Sequence, residues 1–154
     1  MFGFEAIKEG VAGILFLGAA WTDMRKMRIP NRLIGWAWLF RVLLFWMEEK
    51  LLGREALLQG KRELLGSLAL MGGLTLFAAL SARGLGFGDV KLLGAAALYL
   101  GLERTLFCLL HGLLLAGGLA LSLILVGKIG RRSRLPLAPF LLVGYLSALF
   151  WEGC

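Results

Sequence analysis

The chain has 154 residues, of which 59% are hydrophobic, and a formal net charge of +7; its mean hydropathy is +0.81. A soluble domain of this length cannot hide that much apolar surface, so lipid is the expected solvent. Two cysteines, Cys108 and Cys154, are too few for a disulfide framework or a four-ligand zinc site, and basic residues interleaved with long apolar runs argue for membrane topology and against a nucleic-acid surface.

Helices are expected throughout, because the hydrocarbon core offers no water to backbone polar groups. The composition therefore predicts an all-α, polytopic membrane protein, a single domain over residues 1–154 with about six spans. In chain order these cover residues 5–22, 34–47, 64–82, 90–102, 105–126 and 137–151. The first runs directly into Trp21-Thr22-Asp23 with no small-residue cleavage pattern, and reads as a retained span. The second is short and contains Arg41, which either snorkels or faces the bundle interior. The fourth is also short and can begin inside the glycine-rich loop before it. Trp36, Trp38, Trp46 and Trp151 fall near span ends, where an aromatic belt would hold them. In the fifth span Cys108 reads as packing and His111 as an internal hydrogen-bond partner. The small-residue pairs Ala97/Gly101, Gly112/Ala116 and Ala116/Ala120 allow close helix approach.

Charge orients the spans. The loops 23–33, 83–91 and 127–136 carry ten of the 17 basic residues; six lie at the opposite ends, and Arg41 is inside a span. The excess places those loops in the cytoplasm and both termini outside. All eight glutamates fall on the outer side. The cytoplasmic side holds only Asp23 and Asp89, the sole aspartates of the chain.

Two carboxylates at one membrane boundary invite a chemical explanation, since acids near hydrocarbon are costly. Held close together they cannot both ionise easily, and they share a proton. One then takes a proton from water while the other donates to a carbonyl or leaving amine, which hydrolyses a peptide without metal or cofactor. Gly84, Gly86 and Gly88 alternate just before Asp89, suiting a bent segment with close backbone approach. The plainer alternative is that each aspartate caps a helix or pairs with Arg25, Arg28 or Lys91.

These residues resemble the type IV prepilin peptidases, members of the GxGD aspartic proteases. Gly86-Phe87-Gly88-Asp89-Val90-Lys91-Leu92-Leu93-Gly94 looks like the GxGD signature and its continuation. Asp23, the basic turn after it and Ile29-Pro30-Asn31 resemble the region of the family's first catalytic aspartate. Leu135-Pro136-Leu137-Ala138-Pro139-Phe140 resembles the proline-bracketed start of the last span. The resemblance implies an aspartic endopeptidase with Asp23 and Asp89 as catalytic residues and Gly86 and Gly88 shaping the active-site loop. Lys91, Pro136 and Pro139 become candidate substrate-binding residues. The implied partners are prepilin or pseudopilin precursors, cut at the cytoplasmic membrane face, and membrane lipid. A basic enzyme face would repel a basic leader at long range, so recognition would be local or would use the precursor's hydrophobic helix. Larger members carry paired Cys-x-x-Cys motifs and methylate the product; this sequence has neither pair, and cleavage without methyl transfer is expected. The chief competitor is a proton- or cation-coupled transporter or channel component using the same two acids. A non-enzymatic assembly subunit is a third reading.

Overall fold

Apolar runs punctuated by a few turn residues fold into five helices in a computed structural model that describes residues 2–80, 86–127 and 136–152. They are α1 (Phe2–Lys26), α2 (Asn31–Leu52), α3 (Arg54–Leu80), α4 (Phe87–Leu125) and α5 (Ala138–Glu152). Arg83, Gly84, Lys128, Arg131, Arg132, Arg134, Leu135 and Cys154 lie outside the described residues, as does the side chain of Trp151.

The stops are local chemistry. α1 closes with the Met27 N–H bonded to the Asp23 carbonyl at 2.8 Å, Met27 turning left-handed at φ 48. Pro30, extended and without an N–H, bars continuation, and α2 begins at Asn31. Gly53 takes φ 73 at the end of α2, a backbone that favours glycine. α3 then starts at Arg54, ten residues before the predicted third span; 54–63 is helical but too polar to read as a span.

The predicted fourth and fifth spans meet without a loop: α4 is two helices joined at a kink at Gly101 (φ 79, ψ 170). The interruption reverses the chain. α4 begins beside the α1–α2 turn, where Lys91 bonds Asn31. Arg104 reaches Glu9, about 21 Å along α1 from Asp23 at 1.5 Å per residue. Gly112 is then back against Leu141, one turn into α5, whose first residue bonds Asp23. A straight helix cannot make all these contacts.

The first half of α4 is the centre of the bundle. Every residue from Leu92 to Tyr99 is buried, and α4 packs on each of the other four helices. Half of this stretch is Gly or Ala, which lets neighbours close in on all sides. By contrast α2, α3 and the later part of α4 present Trp36, Phe40, Trp46, Phe77, Leu114 and Leu125 outward. By length and composition α3 and α4 can cross a membrane, and only 17% of the apolar window of each is buried in the protein. A core helix of a soluble protein would bury most of it. α5 is a shorter apolar helix, and α1 and α2 carry too many charges to pass the same test.

Several of those charges are internal. Arg41 does not snorkel: it is 5% exposed and donates to Glu48 at 3.1 Å and to Glu63. Lys8, equally buried, lies 3.0 Å from Glu63 and 3.2 Å from Glu48. Glu48 Oε1 lacks hydrogen-bond geometry towards any described donor, so its 3.2 Å approach to Lys8 is Coulombic only. Two cations and two carboxylates thus neutralise one another where α1, α2 and α3 meet, about 22 Å along α1 from Asp23. The expectation that the glutamates gather at the end opposite the aspartates agrees with this placement. Cys108 is fully buried, and His111 Nδ1 lies 3.1 Å from the Phe107 carbonyl, as anticipated for both.

Candidate active site

The end of α1, the turn into α2 and the starts of α4 and α5 converge at one end of the bundle. Asp23 is in the last turn of α1 and only 7% exposed. The hydroxyl of its neighbour Thr22 is satisfied on its own helix, donating to the Gly18 and Ala19 carbonyls. The Asp23 carboxylate turns instead towards α5, where Oδ2 accepts the buried N–H of Ala138 at 3.1 Å.

The first turn of α5 explains why that amide is available. Leu137 accepts the N–H groups of Phe140 at 3.0 Å and Leu141 at 3.1 Å, which makes it the cap residue. The first-turn donors before Phe140 have no partner within the helix. Pro139 has no N–H at all. Ala138 is left as the one first-turn donor ahead of Phe140, and Asp23 fills it.

Asp89 is the third residue of α4. Gly86, extended at φ −63 and ψ 136, is the cap, and its carbonyl accepts the N–H groups of Asp89 at 2.9 Å and Val90 at 3.2 Å. Gly86 therefore has an ordinary extended backbone, and glycine is needed there for room: a Cβ would stand 3.0 Å from Asp89 Oδ2. Gly88 packs its α-carbon face on Ile29, where a Cβ would make an ordinary 3.4 Å contact. The Ile-Pro-Asn turn thus rests directly on the Gly-Phe-Gly-Asp segment.

The neighbouring cations do not pair with either acid. Lys91 is exposed and donates to Asn31 Oδ1 at 3.2 Å, tying the start of α4 to the start of α2. The Arg25 guanidinium stacks over Trp21 at 4.3 Å. Among the described residues neither aspartate has an ion pair. The capping alternative does describe one part of Asp23's environment, its bond to α5. Pro136 and Pro139, both half-buried, bracket the Leu137-Ala138 step at this end.

Electrostatically the two acids feel each other. Asp89 lies one residue ahead of the predicted fourth span; burial first, and the charge of Asp23 second, push its carboxyl from the usual 3.8 up to about 6.

Residues 11–121 match the sequence model of the type IV leader peptidase family. The chain belongs to the type IV leader peptidase family. No curated protein and no solved structure matches it. The matched stretch contains Asp23, the Ile29-Pro30-Asn31 turn and the Gly86–Lys91 segment, and it ends before Pro136. Membership in this family makes the chain a peptidase. The feature that reading the sequence missed is the Ala138 amide. Its signal was the flanking Pro139, which removes the competing donor from the same helix turn.

Proposed function

We propose that the protein is an aspartic endopeptidase that removes the basic leader from prepilin- or pseudopilin-like precursors at the cytoplasmic face of the membrane. Asp23 and Asp89 form the catalytic pair. The observation that supports this reading best is the convergence of the two sole aspartates at one end of the bundle, close enough for Asp23 to raise the proton affinity of Asp89. A pair in that relation holds one proton between pH values where ordinary carboxylates hold none. It therefore supplies a base and an acid at once, the requirement for attack of water on a peptide carbonyl.

Six crossings suit the arrangement, with the two halves of α4 as separate spans joined at Gly101. The basic loops then lie in the cytoplasm with the aspartates. Gly86 and Gly88 shape the approach to Asp89, while Lys91, Pro136 and Pro139 border the substrate. The precursor's hydrophobic helix, not its basic leader, supplies the larger share of recognition, because no free acidic patch is described at this end to attract the leader.

Co-expression with candidate precursors tests the reading by the size shift on leader removal. Wild type should process the precursor, and Asp23→Asn or Asp89→Asn should each lower the rate by about 10²–10⁴-fold while the protein still inserts. Full processing by either variant overturns the assignment.

A further inference from the structure

We propose that the backbone amide of Ala138 assigns the two roles in the pair: Asp23 is the ionised carboxylate that takes the proton from water, and Asp89 is the acid that protonates the substrate. This rests on the aspartic peptidase reading above and goes further by distinguishing two residues that the sequence leaves equivalent.

The asymmetry is one of donors. Asp23 is buried and accepts the N–H of Ala138 at 3.1 Å, a donor of fixed position that its own helix cannot use. A carboxylate accepts such a bond in its ionised form, and the 15-residue α5 aligns its positive end behind it. Asp89 has no donor to its carboxylate among the described residues, and its surroundings favour the neutral form. Among the described residues no other charge reverses this order. From α1 and its turn, Arg25, Lys26 and Arg28 are exposed; so are Arg32 of α2 and Lys91 of α4, and α5 carries no charged residue between Ala138 and Phe150.

The resulting cycle balances. Water adds its oxygen to the scissile carbonyl carbon as Asp23 takes one water proton and Asp89 gives its proton to the carbonyl oxygen. The product is a neutral gem-diol beside protonated Asp23 and ionised Asp89. Asp23 then passes its proton to the amide nitrogen, the C–N bond breaks, and one gem-diol hydroxyl returns a proton to Asp89. A carboxylic acid and an amine leave, and the pair is restored. Ala138 is a positioning residue in this scheme; it touches Asp23 and not the substrate.

Because the chain has only two aspartates, aspartate labelled with ¹³C at the γ-carboxyl carbon gives two side-chain carboxyl signals in the intact protein. Asp23→Asn and Asp89→Asn each delete one, which assigns them. Between the two titration steps of the wild-type pair, the ionised shift should belong to Asp23 and the protonated shift to Asp89. The reverse order, or two equal averaged signals, overturns the proposal. A second arm uses Ala138→Pro, which removes the N–H at a helix position that tolerates proline, with Ala138→Gly as the control that keeps it. With a synthetic precursor segment in detergent micelles, Ala138→Pro should move the acidic limb of the rate profile up by about one pH unit, while Ala138→Gly leaves it in place. An unmoved limb in folded Ala138→Pro overturns the proposal, and if that variant does not fold, the labelling decides alone. Failure of wild type to cut any precursor would sink the peptidase reading instead, and the labelling would still report which acid is ionised.

Discussion

Arg41 on α2 donates from Nε to the carbonyl oxygen of Leu98 on α4, 2.7 Å away in the protein interior. The break at Gly101 deprives the last carbonyls of the first half of α4 of their usual partners, and Arg41 supplies one from another helix. Its remaining donors hold Glu48 and Glu63. One side chain therefore links α2, α3 and α4 and, together with Lys8, neutralises two buried acids.

Arg41→Leu should accordingly destabilise the protein by about 3–5 kcal/mol, because it leaves two buried carboxylates with Lys8 as their single cation and strands a carbonyl. Thermal or chemical unfolding in a fixed detergent measures this. A loss below about 1 kcal/mol would mean that the network does not hold the bundle.

The crossing of α4 and α5 depends on glycine at 144. A Cβ there would fall on the Cys108 carbonyl oxygen and stand 3.1 Å from the Gly112 nitrogen, both backbone atoms that cannot rotate away. Gly144→Ala should cost at least 1–3 kcal/mol, on the order of other overpacked cores. Unfolding of Gly144→Ala no different from wild type would contradict the close approach.

The two glycines before Asp89 should separate function from folding. Gly86→Ala places a methyl 3.0 Å from the Asp89 carboxylate, which must swing aside. Cleavage should fall about 10–100-fold with stability little changed. Gly88→Ala meets Ile29 at 3.4 Å, an ordinary contact, and should stay within about two-fold of wild type. Equal effects of the two changes would remove the distinction drawn between them.

Asp89 carries a predicted trade-off between activity and stability. Its carboxyl is raised to about 6 in the fold from 3.8, so the fold binds its proton more tightly than the unfolded chain does. That contribution to stability is fully present below about pH 3.8 and is lost as pH rises to about 6. Above that range the isosteric, uncharged Asp89→Asn should be more stable than wild type, on the order of 1–3 kcal/mol, although inactive. The difference should vanish near pH 4. Unfolding midpoints measured at pH 4 and 7 check both signs.

Composition and apolar run length alone established the helical class, and the Asp23 and Asp89 motifs stood out because these are the chain's two aspartates, set apart from its eight glutamates. Short-range chemistry also set several boundaries: Pro30 and Gly53 mark helix ends wherever the rest of the fold lies. Tertiary structure decided what depends on residues far apart in the chain. Arg41 looks like a flaw in a span until Glu48, Glu63 and Lys8 are seen around it, because a buried cation is tolerable only beside its partners. The break between the fourth and fifth spans was legible at Glu103-Arg104, but only the structure shows that Gly101 makes the reversal without a loop. And Ala138, an unremarkable apolar residue in the sequence, matters through a backbone amide whose partner is 115 residues away. Side-chain pattern carries no trace of such a bond; only the docking of α5 against α1 creates it.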